Sequence, residues 1–363
     1  MTRESGEGSR RWESLDPALS LSLLAGWSFL CRPDCALCCF ATPAVTPSEM
    51  DRLLRIEPAA PFERGEAEFS IVPARPRGGA CHFLTHLRCR VHPVRPFPCA
   101  TYPVMVHLGS QAQADIVLSC PGVDLAPLSR WEGVRGPSDP PMGLDQELGR
   151  VAEEYGRRPV RAYLAEGKRR EDRLRSRMQR RGGWIEPVDL RELFHSDLPV
   201  PEKEDLQEAG PPDADSMADL PLFWDPTLGR VAFRRRGSAW EFQAIREEGG
   251  PQGLPRIFEP IHELPGLEPE ARRMLEGYLH FCLERDFLIW MAYSEASGTR
   301  DASLEELVEA ILRSLSSEAR VRGAMRARLL GRRSDPLDQA AVEWGIRATD
   351  SDFLDQGTLG RVL

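Results

Sequence analysis

Nine cysteines occur in this chain of 363 residues, and eight of them fall between Cys31 and Cys120. They run Cys31, Cys35, Cys38 and Cys39, then Cys81, Cys89 and Cys99, then Cys120, while Cys282 stands alone downstream. Thiolates are soft donors, and four of them satisfy zinc or an iron–sulfur cluster outright. Disulfides suit small secreted chains that cannot build a core, and neighbours such as Cys38 and Cys39 cannot bridge each other without strain. A nucleophilic cysteine needs one activated thiol and a base, not eight thiols. The pattern therefore favours a metal ion or cluster as partner, with all eight cysteines as candidate ligands. Eight suffice for two four-coordinate sites, so His82, His86 and His92 read as structural or supporting groups. Their division between sites stays open.

Local signals say how these thiols are positioned. Trp27 to Leu30 reads as a strand delivering Cys31. Thr46, Pro47 and Glu49 form a helix start with a capping box, and Met50, Leu53 and Leu54 give that helix one apolar face toward the cysteine loop. Ile71 and Val72 suggest a strand. Pro93, Pro96, Pro98 and Pro103 argue against helix and for extended or turned backbone. Tyr102 to His107 and Gln113 to Leu118 read as a hairpin about a two-residue Gly109-Ser110 turn. That register sets Val104 opposite Asp115 and brings Cys99 opposite Cys120.

The rest of the chain is mostly helical. Leu144, Leu148, Val151 and Tyr155 recur at helical spacing. Val160 to Arg181 is a strongly basic helix, read either as a solvated face or as a grip for an acidic partner. Ser196 to Leu220 is acidic and proline-rich, a loop or linker. Val231 to Phe233 and Trp240 to Phe242 read as a second hairpin. From Glu268 onward helices dominate. Cys282 lies on an apolar stripe as a small buried residue, Phe287 to Tyr293 is core, and Ser303 with Glu306 forms another capping box. Arg320 to Arg333 reads as a second basic helix.

The predicted fold class is α+β: a small cysteine-rich metal-binding domain with a β-hairpin, followed by a mostly helical region carrying one further hairpin. The expected divisions are a disordered or short N-terminal segment at 1–26 and a metal-binding domain at 27–135. A helical region with the basic helix follows at 136–195, an acidic linker at 196–222, and a hairpin with C-terminal helices at 223–363.

One family shares these residues. Phe29 to Cys39, Thr46 to Glu49, Cys81 to Leu84, Cys89 to Pro96, Cys99 to Pro103 and Cys120 to Gly122 together resemble the YkgJ-type cysteine-cluster proteins. That family is named for a CxxCxxCC motif and is taken to chelate zinc or iron. The resemblance covers about a quarter of the chain, and it departs at the first spacing, where Cys31 and Cys35 are separated by three residues. It implies a metal-binding protein holding a 4Fe-4S cluster or zinc. Arg95, in the family's Arg-Pro pair, is a cofactor-side candidate. Tyr102 is another, although its reading as a core aromatic is the stronger. The family includes flagellin lysine N-methylases, which implies a second reading: a protein-lysine methyltransferase with S-adenosylmethionine as cofactor and a protein as substrate. A third reading is a structural zinc module. Cys31, Cys35 and Cys38 also match the spacing of radical S-adenosylmethionine enzymes, but the repeated strand–helix units of those proteins do not follow.

Composition narrows the partners. The net charge of −9 argues against a general nucleic-acid binder. No apolar run approaches the roughly 20 residues of a membrane span. The polar start lacks a signal-peptide pattern, so a cytoplasmic location is expected, where thiols stay reduced.

Overall fold

The computed structural model describes residues 19–20, 22–24, 26–32, 35–39, 44–45, 47–64, 70–71, 81–108, 111–131, 160–180, 183–195, 198–201, 223–236, 239–246, 251–259, 261–298 and 303–355. Several sequence expectations lie outside the described residues: the N-terminal segment through Ala18, Thr46 as a cap, Val72, the Gly109-Ser110 turn, the stripe from Leu144 to Tyr155, and the acidic run from Glu202.

In chain order, strand β1 (Leu19–Ser20) precedes β2 (Ala44–Val45), helix α1 (Pro47–Ile56), β3 (Glu63–Arg64) and β4 (Ser70–Ile71). The short strands β5 (Leu84–Thr85) and β6 (Arg88–Cys89) follow, then helix α2 (Phe97–Thr101) and the hairpin β7 (Val104–Leu108) and β8 (Ala112–Ile116). Helices α3 (Val160–Arg180) and α4 (Pro187–His195) lead to strands β9 (Phe223–Asp225), β10 (Gly229–Arg236), β11 (Ala239–Ile245) and β12 (Pro251–Phe258). Helices α5 (Pro269–Glu284), α6 (Asp286–Gly298), α7 (Leu304–Leu329) and α8 (Gln339–Asp355) complete the described chain. The fold is α+β with hairpins, as expected, but the second hairpin belongs to a four-stranded antiparallel sheet ordered β12-β11-β10-β9. No helix among the described residues is long and apolar enough to cross a membrane.

The largest core joins the two ends of the chain. Val104, Ile116 and Leu118 of the hairpin region pack with Tyr278, Leu279 and Phe281 of α5 and with Val342 and Ile346 of α8. Fully burying such a side chain contributes about 1.5–3 kcal/mol. Cys282 is completely buried in this core, as its apolar stripe implied. The capping box at Ser303 is also present: its hydroxyl accepts from the Glu306 amide at 3.2 Å, and Glu306 accepts from the Ser303 amide at 2.7 Å.

The hairpin register differs from expectation by one residue. Val104 pairs with Ile116 and Met105 with Asp115. Strand side chains alternate with a period of two, so a one-residue slip exchanges faces. The two-residue turn would have set Val104 against a carboxylate, whereas the observed register pairs two fully buried apolar residues. Of the four prolines, Pro98 departs from the expected extended or turned backbone. Pro98 lies in the first turn of α2, where a missing amide costs nothing, and Pro93 lies in a 3-10 turn at His92–Val94. Cys99 thus rides a helix, not a strand extension facing Cys120.

The stretch Arg320 to Arg333 is not a separate basic helix. Through Leu329 it is the end of α7, and three of its arginines are buried. Arg320 donates from Nε to the Pro265 carbonyl at 2.9 Å, Arg322 donates to the Ala348 carbonyl at 2.8 Å, and Arg326 pairs with Asp225. A guanidinium tolerates burial when its fork of donors is met this way.

Candidate metal centre

The cysteines reach their places by three routes. The first is a small knuckle. The Leu84 amide donates to the Cys81 carbonyl at 2.9 Å, the Arg90 amide donates to the Phe83 carbonyl at 2.9 Å, and β5 pairs Leu84 with Cys89. His86 and Leu87 form the reversal with φ of 48° and 59°. Left-handed backbone at both turn positions suits the twist of a two-residue hairpin but costs a non-glycine residue roughly 1–2 kcal/mol. Behind the knuckle, Leu53 of α1 packs with Val45, Phe83 and Val91, beside Cys81 and Cys89. The apolar face of α1 therefore supports the cysteine loop, as its spacing implied. On the surface, Glu57 accepts from Arg90 at 2.8 Å and lies 2.5 Å from His82.

The second route is the loop of Cys35, Cys38 and Cys39. Ala36 has a φ of 48°, and a 3-10 turn spans Leu37–Cys39. The Cys81 amide donates to the Cys39 carbonyl at 2.6 Å, which fastens this loop to the knuckle. Cys35 and Leu37 pack on Ala232 and Ile245 of the four-stranded sheet, and Arg230 donates to the Cys35 carbonyl at 3.0 Å. Alternation along β10 gives that sheet two roles. Ala232 faces Cys35, whereas Val231 faces Leu329 of α7 and Trp344 of α8.

The third route carries Cys120. Residues 28–30 run beside residues 122–124. Phe29 bridges Val123, the Leu30 amide donates to the Gly122 carbonyl at 2.9 Å, and the Asp124 amide donates to the Ser28 carbonyl at 3.0 Å. A Cβ on Gly122 would stand 2.4 Å from the Leu30 carbonyl oxygen, so this close approach requires glycine. The extended segment before Cys31 matches the expected strand and places exposed Cys31 near the Cys120 turn. Arg32 Nε donates to the Pro121 carbonyl at 3.2 Å.

Electrostatics sort the thiols. All nine cysteines are free. The Cys39 thiol donates to the Cys38 sulfur, which holds Cys38 below the usual thiol range, while the same bond and burial push Cys39 well above it. Burial raises Cys81, Cys89 and Cys99, and the nearby Cys38 charge adds to each. Arg95 opposes these effects at Cys89 and Cys99 and adds to the lowering of Cys38. Cys120 is pushed up to about 12, by burial first and then by Cys35 and Cys38. Cys38, Cys39, Cys81, Cys89 and Cys99 thus share one electrostatic neighbourhood, and Cys35 and Cys120 share another that touches it through Cys38. Among the described residues, no three His, Cys, Asp or Glu side chains converge closely enough to hold a metal ion. The thiols fit zinc or an iron–sulfur cluster in kind and in neighbourhood, but they are not in a coordinating array.

The two cofactor-side candidates both border this ground. Arg95 Nη1 lies 2.5 Å from His92 Nε2, and its charge reaches three of the thiols. Tyr102 is raised well above its usual range, chiefly by burial and then by Cys120 and Cys38. It also bonds Ser119 and packs on the hairpin core. Sequence reasoning missed Arg230 and Arg347, which hold the cysteine backbone from far along the chain. No local signal marks them, because their partners are carbonyl groups.

Residues 30–121 match the family described as "CxxCxxCC: putative zinc- or iron-chelating domain". The match spans the quarter of the chain in which the resemblance was seen. It supports metal binding by this domain in general. No curated protein and no solved structure matches the chain.

Proposed function

We propose that the protein binds metal through this domain, with Cys38, Cys39, Cys81, Cys89 and Cys99 supplying the primary thiolates. Cys35, Cys120 and Cys31 form a second group beside them, and Arg95 offsets thiolate charge. The observation that carries this reading is the match of residues 30–121 to a zinc- or iron-chelating domain, in which the Cys81 amide ties its own stretch to the Cys39 carbonyl. Four thiolates complete a tetrahedral zinc site or ligate a 4Fe-4S cluster. Bound metal would supply fold stability or electron transfer. Arg95 would stabilise the thiolate form at neutral pH, and the knuckle would keep Cys81 and Cys89 on one side of the ion. Tyr102 would close the buried side.

The test is anaerobic purification followed by analysis of zinc, iron and acid-labile sulfide, with a visible spectrum. Brown protein with iron and sulfide identifies a cluster, and colourless protein with bound zinc identifies zinc. Protein that retains neither, and takes up neither after reduction, overturns the reading. The methyltransferase reading rests on the resemblance to flagellin N-methylases alone. It is supported if S-adenosylmethionine binds and a lysine-bearing protein is methylated, and it fails if the metal-loaded protein binds no S-adenosylmethionine.

A further inference from the structure

The Cys120 turn is gripped from one helix. Arg347 of α8 donates to three carbonyls of this turn: Leu118 at 3.1 Å, Cys120 at 2.7 Å and Val123 at 2.7 Å. Glu343, one helical turn earlier, accepts from Arg347 Nη2 at 2.8 Å and holds the guanidinium in place. One turn later, Asp350 accepts from the Leu118 amide at 2.8 Å. Asp350 is itself bound to Arg285, whose Nη2 donates to the Ile116 carbonyl at 3.0 Å. One face of α8 therefore fixes both strands of backbone leading into Cys120. A single guanidinium meeting three carbonyls is a rigid arrangement, since its planar fork allows few alternative geometries.

We propose that Arg347 is a positioning residue for the metal centre, and that α8 is where metal loading is felt by the C-terminal half of the chain. The inference rests on the metal-binding reading above and adds a direction of communication to it. When metal binding at the Cys38 group orders the Cys35 and Cys120 neighbourhood beside it, the Cys120 turn loses freedom, and the three carbonyl bonds transmit that loss to α8. Coupling of this kind is reciprocal: what metal does for α8, an intact α8 does for metal affinity. Arg230 plays the matching part at Cys35 through the sheet, donating to the Cys35 carbonyl.

The experiment uses the full chain, reduced and metal-free, with zinc(II) as probe. Hydrogen exchange is followed by mass spectrometry with and without zinc, and zinc affinity is measured by competition with a chelator. In the wild type, zinc is expected to slow exchange several-fold across residues 339–350 and 117–123. Arg347→Ala should lose that zinc-dependent protection and bind zinc about tenfold more weakly, whereas Arg347→Lys should recover part of both. Arg313→Ala, which alters an exposed pair on α7, should change neither. If Arg347→Ala does not fold, Glu343→Ala, at a half-exposed position, is expected to show the same losses to a smaller degree. Unchanged affinity and unchanged zinc-dependent protection in the folded variant overturn the inference. A wild-type protein that binds no zinc overturns the reading of the site itself.

Discussion

The knuckle at Cys81 and Cys89 and the turn at Cys120 hold their cysteines in adjoining neighbourhoods by opposite means. The knuckle is local. Apart from the Cys81 amide's bond to the Cys39 carbonyl, its backbone hydrogen bonds close within ten residues, its support comes from α1, and its ion pairs at Glu57 are on the surface. The Cys120 turn is held from more than two hundred residues away, by Arg347 and Asp350 of α8. Its neighbourhood is dry: Arg285 is fully buried, with Asp115 Oδ2 2.8 Å from its Nε as an ion-pair contact and Asp350 at Nη1. One half of the centre is a small module. The other half is an outgrowth of the C-terminal core.

Several experiments would break or sharpen this contrast. The largest effect is expected from Arg285→Ala, which leaves Asp115 and Asp350 buried without their cation. Removing one partner of a buried pair costs about 3–5 kcal/mol, so chemical denaturation should show a stability loss of that size. By contrast, Glu57→Gln at the knuckle should leave the global unfolding midpoint unchanged and only speed local proteolysis near residues 81–91.

Next comes the joint between α7 and α8. A Cβ on Gly345 would stand 1.9 Å from the Ala319 carbonyl oxygen. Gly345→Ala must push the helices apart, and overpacking of this kind costs about 1–3 kcal/mol. Thermal unfolding should show it, and the Cys120 turn should loosen with it while the knuckle does not.

Acid should separate the two aspartates on Arg285. Burial works against the Asp115 charge, but Arg285 and His107 overcome it and hold its pKa below the usual value. Asp115 therefore adds stability above the ordinary carboxylate pKa, and that stability is lost as pH falls through the ordinary value toward the lowered one. Asp350 is raised, by burial above all, so its sign is opposite: its contribution is present at low pH and lost as pH rises through the raised value. Asp115→Asn should flatten the acid limb of a stability–pH curve, and Asp350→Asn should not.

The thiols give a related dependence. Burial keeps Cys81, Cys89 and Cys99 protonated at neutral pH, so metal must displace their protons. Apparent affinity should rise with pH by about tenfold per unit for each proton released, as buffer-dependent calorimetry would show. The smallest effect is expected at Ala36, where glycine removes the cost of φ at 48°, a gain of about 1 kcal/mol or less.

Much of the module was legible in the sequence, and most of its anchoring was not. The cysteine pattern, the helix at Pro47, the strand before Cys31 and the hairpin at 104–116 all leave local signatures. The knuckle turn did not, because His86 and Leu87 carry none of the residues that announce left-handed backbone. The hairpin register failed because turn chemistry was weighed above the burial of Val104 and Ile116. Arg347, Arg230 and Arg285 were invisible because an arginine that spends its donors on distant carbonyls or carboxylates looks like any surface arginine in one dimension.

The central claim is that the sulfurs of Cys38, Cys39, Cys81, Cys89 and Cys99 surround a metal. X-ray absorption at the metal edge of the loaded, reduced protein tests it most directly. The account predicts a first shell of about four sulfur neighbours at ~2.3 Å, depleted by Cys81→Ser or Cys99→Ser. A shell of oxygen and nitrogen, indifferent to those substitutions, would contradict it.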